Sequence, residues 1–168
     1  MSEKPRKRDD FESLIIEYRL IIYKVCFMYA TKYLPIEDLY QETIVNIWKG
    51  QNQFKNQSKQ STWIYRIAIN SCISFSRKEK KHLNPCPITT DLEDLLQDVD
   101  AEKKQMIHRM YELIEQLGNL DKSIILLYLE NFNYDDIAEV TGLTRSNVGS
   151  KINRIKEKLC NMNKKTAY

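Results

Sequence analysis

Phe11, Leu14, Ile15, Tyr18, Ile21, Ile22, Val25, Cys26 and Tyr29 recur at steps of three and four residues, as one face of a long helix does. Asp9 or Asp10 is placed to cap it. Pro35 suits a first helical turn, and Ile36, Leu39, Tyr40, Thr43, Ile44 and Ile47 trace a second helix that ends near Gly50. The polar stretch 51–60 has one apolar anchor, Phe54. Ser61 or Thr62 then caps a third helix whose inward face is Ile64, Ile67, Ala68, Ser71, Cys72 and Phe75.

From Leu83 to Asp100 the periodicity stops. Pro85 and Pro87 are followed by five acidic residues, with no Lys or Arg, which predicts a linker with at most a helical turn near Leu92 to Leu96. Extended, these 18 residues would span roughly 60 Å. Helical spacing resumes with Ile107, Met110, Tyr111, Ile114 and Leu117, stopped at Gly118. A short apolar helix follows from Asp121 to Glu130. Asn133 is placed to cap a brief helix ended by Gly142, and Thr144 to cap a last one with Val148, Ile152, Ile155 and Leu159 inward. The expected fold is all-α: two small helical domains, residues 1–82 and 104–168, joined by an acidic linker at 83–103.

Composition supports this. Four Gly and four Pro in 168 residues leave little turn chemistry, against about a dozen Gly at average usage, so a strand-rich sandwich or barrel is not expected. No apolar run approaches the ~20 residues of a membrane span. The basic start Lys4 to Arg8 leads into Asp9, Asp10 and Glu12 rather than a signal-peptide core. Cys26, Cys72, Cys86 and Cys160 are scattered, without ligand spacing to a His, so neither a zinc site nor a disulfide framework is expected. Cys26 and Cys72 fall on apolar faces and are read as small buried hydrophobes. A cytoplasmic protein without membrane insertion is the expectation.

Charge changes the picture more. The net charge of +3 resolves along the chain into +3 over residues 1–8, −4 over 9–48, +7 over 49–82, −9 over 83–144 and +6 over 145–168. Basic segments are candidate polyanion contacts, because Lys and Arg at phosphates release counterions. The two strongly basic segments, 49–82 and 145–168, each fall within a motif of their own.

The run Tyr134 to Val148 carries a small residue, Ala138, a glycine at the turn, Gly142, and an apolar plug, Leu143. Val148 and Ile152 anchor the next helix. That arrangement is a helix-turn-helix, and it leaves Thr144, Arg145, Ser146, Asn147, Ser150, Lys151 and Arg154 at the start and outer side of its second helix. These side-chain types reach base edges and phosphates from the major groove. Two runs remain. Glu37 to Glu42, with Ile47 and Trp48, offers Asp38, Gln41 and Glu42 to a partner with basic groups. Ser61 to Asn70 places Trp63, Tyr65, Arg66 and Asn70 beside the loop from Phe54, and aromatics interleaved with cations are what single-stranded DNA binding uses.

Together these runs resemble the small two-domain, extracytoplasmic-function group of bacterial RNA polymerase sigma factors, over residues 9–160 and with the motifs in the family's order. The resemblance implies that Asp38, Leu39, Gln41, Glu42, Ile47 and Trp48 belong to the helix that docks on the polymerase β′ clamp helices. It implies that Phe54, Ser61, Thr62, Trp63, Tyr65, Arg66 and Asn70 capture and melt the −10 element. The helix from Arg145 would read the −35 element as duplex. The β flap, promoter DNA and an anti-sigma factor are the further expected partners, and no cofactor is expected. By the same resemblance the linker passes through the polymerase RNA path, where its acidic residues could imitate a nucleic-acid strand.

The chain departs from the family pattern at Leu120-Asp121, where Leu-Pro is common; Asp is a competent cap. It departs again at Asn147-Val148-Gly149, where Thr-Val-Lys-like residues are commoner. Gly149 weakens helix propensity by about 1 kcal/mol relative to Ala and reads either as close backbone approach or as drift. Catalysis is not expected, because no glycine loop, metal-binding His pair or nucleophile motif occurs. A helix-turn-helix regulator acting on duplex DNA alone would explain residues 104–160 and leave the other two runs without a role. A helical module that sequesters sigma factors would bind protein and no DNA.

Overall fold

The computed structural model describes residues 5–31, 34–54, 58–79 and 100–166. The expected turn near Leu92 to Leu96 and most of the expected linker lie outside them. The chain divides into two compact units, Met1–Cys86 and Pro87–Tyr168. The described residues form seven α-helices, and their one pairing of β type is the isolated bridge between Thr31 and Leu34.

In the first unit, α1 (Pro5–Tyr29), α2 (Ile36–Gly50) and α3 (Gln60–Glu79) pack on one another. The shared core holds Ile22, Val25, Cys26, Leu39, Ile47, Ile64, Ala68 and Cys72, all at most 1% exposed. The periodicity of the sequence finds this seam. Phe11, Leu14, Ile15, Tyr18 and Ile21, on the same stripe nearer the start of α1, are half-buried. The expected cap at Asp9 or Asp10 is corrected: α1 already runs from Pro5, so both lie inside it. Proline is tolerated at such a start, where the amide it lacks has no partner within the helix.

Between α1 and α2, Thr31 and Leu34 exchange backbone hydrogen bonds of 2.9 Å. Pro35 precedes α2 as its N-cap, rather than sitting within the first turn. A single 3-10 turn, Gln51–Gln53, leads away from Gly50. Cys72 Sγ donates to Cys26 Sγ at 4.0 Å, and Cys26 lies 3.7 Å from Thr43 Oγ1, so the three helices meet at a small, soft polar contact. Donation to Cys26 together with burial holds the Cys72 thiol well above its usual range.

The second unit contains α4 (Ala101–Glu115), α5 (Asn119–Leu129), α6 (Tyr134–Thr141) and α7 (Arg145–Thr166). Asp100 caps α4 by accepting from the Lys103 amide at 3.0 Å, and that bond lowers its carboxyl pKa. Gly118 is the N-cap of α5 in an extended conformation, φ −67° and ψ 156°. Asp121 therefore sits in the first turn instead of capping it. After α5, Asn131 adopts φ 61°, and the Phe132 and Asn131 amides donate to Leu127 and Tyr128 carbonyls at 3.1 Å each. This is a Schellman stop with Asn in the left-handed position usually given to Gly.

Ile114, Ile124, Leu127, Ile137, Val148 and Ile152 are fully buried and form this unit's core. Lys122 is also buried, at 7% exposure. Burial lowers its ammonium pKa, and the nearby Glu115 carboxylate opposes that shift. Glu115 is pushed up by burial in turn.

Candidate nucleic-acid and polymerase interfaces

The turn before the last helix is built as its residues demand. Asn133 Oδ1 accepts from the Asp136 amide at 2.8 Å, while its Nδ2 donates to Asp136 Oδ2 at 2.9 Å, which closes the start of α6 in both directions. Gly142 ends α6 at φ 73°, where a Cβ would be strained, and Thr144 Oγ1 accepts from the Asn147 amide at 3.3 Å to open α7. Val148, Ile152 and Ile155 then point into the core, at 2% exposure or less.

The opposite side of α7 exposes Thr144, Arg145, Ser146, Asn147, Ser150 and Arg154. The sequence therefore places this set correctly on the surface. Two cations among the candidates are already engaged. Arg145 Nη1 lies 2.8 Å from Asp135 Oδ2, and Lys151 Nζ lies 2.6 Å from Asp121 Oδ1. Lys151 is corrected on this ground: it is half-buried and tied to α5, which braces α7. Gly149 also resolves, since a Cβ there would stand 3.3 Å from Tyr134 Cε2. The close approach is that of an aromatic ring from α6 against the backbone of α7.

In the first unit, α2 carries an exposed strip at three- and four-residue steps: Asp38, Gln41, Val45 and Trp48. Glu42 flanks it half-buried and accepts from Asn46 Nδ2 at 3.4 Å, and the same amide donates to Ser71 Oγ at 2.9 Å. Leu39 and Ile47 are corrected. Both are fully buried, so they seat the helix in the core of this unit. Val45, 43% exposed, was missed by the sequence reading, although it lies three and four residues from two members of the strip. Trp48, 45% exposed, meets Phe11 edge to face at 4.8 Å, which holds the indole without covering it.

The third helix presents Arg66 and Asn70, one turn apart, to solvent. Phe54 stacks on Trp63 at 4.9 Å with the rings tilted by 35°. A Cβ at Gly50 would lie 3.2 Å from Ile67 Cδ1 and 3.4 Å from Trp63 Cζ2, so the tight approach there is that of Ile67, with the indole in ordinary contact. Ser61 and Trp63 are half-buried. Thr62 and Tyr65 are corrected, being buried within the helix packing at 0% and 1% exposure. The expected cap by Ser61 or Thr62 is also corrected, because α3 begins at Gln60 and both residues lie in its first turn.

Two family models match the chain: Sigma-70 region 2 over residues 14–82 and Sigma-70, region 4 over residues 107–159. The ECF RNA polymerase sigma-E factor of Haemophilus influenzae is 27% identical over 163 residues, covering 90% of this chain and 86% of that protein. The RNA polymerase sigma factor SigV of Bacillus subtilis is 24% identical over 160 residues, covering 92% of this chain and 91% of that protein. Among solved structures, the sigma factor RpoE of Bartonella quintana, crystallised with the anti-sigma factor NepR, has the same fold. It has a TM-score of 0.74 at 20% identity, over 92% of this chain and 97% of that one. CnrH, solved with the cytosolic domain of CnrY, has a TM-score of 0.67 at 16% identity, over 94% of this chain and 89% of that one.

Proposed function

Because the chain belongs to the sigma-70 family, through regions 2 and 4 and the extracytoplasmic-function group, we propose a division of labour between its two units. The chain is an alternative sigma factor that directs RNA polymerase to promoters. The second unit reads the −35 element as duplex through Thr144, Arg145, Ser146, Asn147, Ser150 and Arg154. The first unit docks on the β′ clamp helices of the core through Asp38, Gln41, Val45 and Trp48. Its third helix holds the melted −10 strand with Arg66, Asn70 and the Trp63–Phe54 pair. The β flap is the expected seat of the second unit.

One observation carries this reading. Thr144 caps a helix that buries Val148, Ile152 and Ile155 while leaving Arg145, Ser146, Asn147, Ser150 and Arg154 in solvent. A helix that carries two guanidinium groups and three short polar side chains on the outer side of its first three turns suits the major groove. No chemistry is assigned to the chain itself; it positions the polymerase's own activity. An anti-sigma factor is a further proposed partner, supported by the fold relative RpoE, which was solved with the anti-sigma factor NepR.

The test is run-off transcription with purified core polymerase, the full chain and candidate promoters. Promoter-specific initiation that depends on the chain is expected. Duplex binding without any effect on core would instead identify a helix-turn-helix regulator.

A further inference from the structure

The basic side chains of α7 divide into two classes. Arg145, Lys151 and Lys156 are engaged with Asp135, Asp121 and Tyr128 respectively, Lys156 Nζ donating to the tyrosine hydroxyl at 2.7 Å. Arg154, Lys158, Lys164 and Lys165 are exposed and have no ion pair or hydrogen bond among the described residues. The second class is ordered in space. From Asn147 the exposed positions Ser150, Arg154, Lys158, Asn161 and Lys165 follow at steps of three and four, a single strip that runs the length of the helix, with Lys164 beside it.

Length decides what that strip can touch. At 1.5 Å per residue, Lys165 lies about 22 Å along the axis from Ser150. The major groove is about 12 Å wide. A helix that reads bases with its first two turns must therefore carry its last turns out over the sugar–phosphate rim. Lysines near a helix end also favour the helix dipole, which would account for Lys164 and Lys165. It does not account for Lys158, more than two turns before that end. Glu157 is the one acidic residue of the segment 145–168 and sits next to the strip without interrupting its spacing.

We propose that Lys158, Lys164 and Lys165 form a sequence-independent phosphate contact, which extends the duplex footprint of α7 beyond the base pairs read by its first turns. This rests on the assignment of α7 as the −35 reader. Point charges on flexible stems suit phosphates, while the guanidinium groups of this helix, Arg145 and Arg154, both lie nearer its start than the three lysines.

The test uses holoenzyme assembled from core and the full chain, with promoter duplex titrated over a range of salt concentrations. Each lost phosphate contact should lower the slope of log K against log salt by about 0.9, so the triple variant Lys158→Gln, Lys164→Gln, Lys165→Gln should lose about two to three. Its affinity should fall by the same factor on matched and mutated −35 sequences. Trimming the duplex that flanks the −35 element, on one side or the other, should abolish the difference from the unaltered chain.

An unchanged slope would overturn the proposal, as would an altered −35 preference, which would place the lysines inside the groove. Weaker assembly with core in the absence of DNA would also overturn it, by assigning the strip to the polymerase. If the unaltered chain fails to confer promoter binding on core, the −35 assignment itself fails. If only the triple variant behaves like the unaltered chain, the assignment stands and the phosphate strip does not.

Discussion

Arg145 and Asp135 face each other across the turn at 2.8 Å, tying the first residue of α7 to the first turn of α6. Both side chains are about two-thirds exposed, at 69% and 65%, so the pair contributes at most about 1 kcal/mol to folding. Its importance lies in where it holds the guanidinium. Arg145→Ala should lower affinity for −35 duplex by about 1–3 kcal/mol and relax preference at one base position. Asp135→Asn should leave the melting temperature almost unchanged while raising duplex affinity and blunting discrimination. Titrations on a panel of single-base −35 variants check both.

On α2, stability and partner binding should separate cleanly. Leu39→Ala and Ile47→Ala each empty a fully buried site and should cost about 2–5 kcal/mol in urea unfolding. Gln41→Ala, at an exposed position, should move stability by no more than about 0.5 kcal/mol yet weaken binding to core polymerase. A titration with labelled core, run beside the denaturation curves, distinguishes the two classes.

Gly142 should be sensitive even though nothing lies within 4 Å of its Cβ position. Its φ of 73° is left-handed, and a side chain there costs about 1–2 kcal/mol from backbone sterics alone. Gly142→Ala should lower the thermal midpoint, and Gly142→Asn should lower it less, since Asn tolerates this region as Asn131 does in the same unit. Calorimetry on the three chains measures the order.

The buried Lys122 makes alkaline stability rise with pH. Burial lowers its pKa below the ordinary 10.5. Between the folded value and 10.5 the unfolded chain binds more protons, so unfolding becomes less favourable as pH climbs. Lys122→Met should remove that slope. Glu115 has the opposite sign: its pKa is raised above 4.5, so the stability it contributes in acid is lost as pH rises through the folded value. Glu115→Gln should remove the acid-side slope. It should also start the Lys122 slope at a lower pH, because the carboxylate that sustains the ammonium is gone. Chemical denaturation at a series of pH values reads each slope.

The helices were legible because their apolar residues repeat at helical spacing, and the caps at Asn133 and Thr144 and the stop at Gly142 were legible because those residues have few other reasons to sit there. The start of α1 was not, since Lys4 to Asp10 has no apolar period to follow. Gly118 was read as a stop for the preceding helix, whereas it opens the next one in an extended conformation that any residue adopts. At the candidate sites, motif membership did not separate inward from outward side chains. Leu39, Ile47, Thr62 and Tyr65 share runs with exposed neighbours, and the packing of α1, α2 and α3 turned them inward. The tie between Lys151 and Asp121 spans 30 residues, and no local pattern encodes it.

That tie sets a rule for anyone redesigning promoter choice in this chain. Lys151 and Gly149 stand among the proposed reading residues in sequence but belong to the scaffold, one bonded to α5 and the other pressed by Tyr134. A graft that transplants the whole run 144–154 from another protein would import new letters and lose the hinge pins that aim them. If α7 reads the −35 element as proposed, exchanging Arg145, Ser146, Asn147, Ser150 and Arg154 alone, with those two left in place, should change the message and keep the aim.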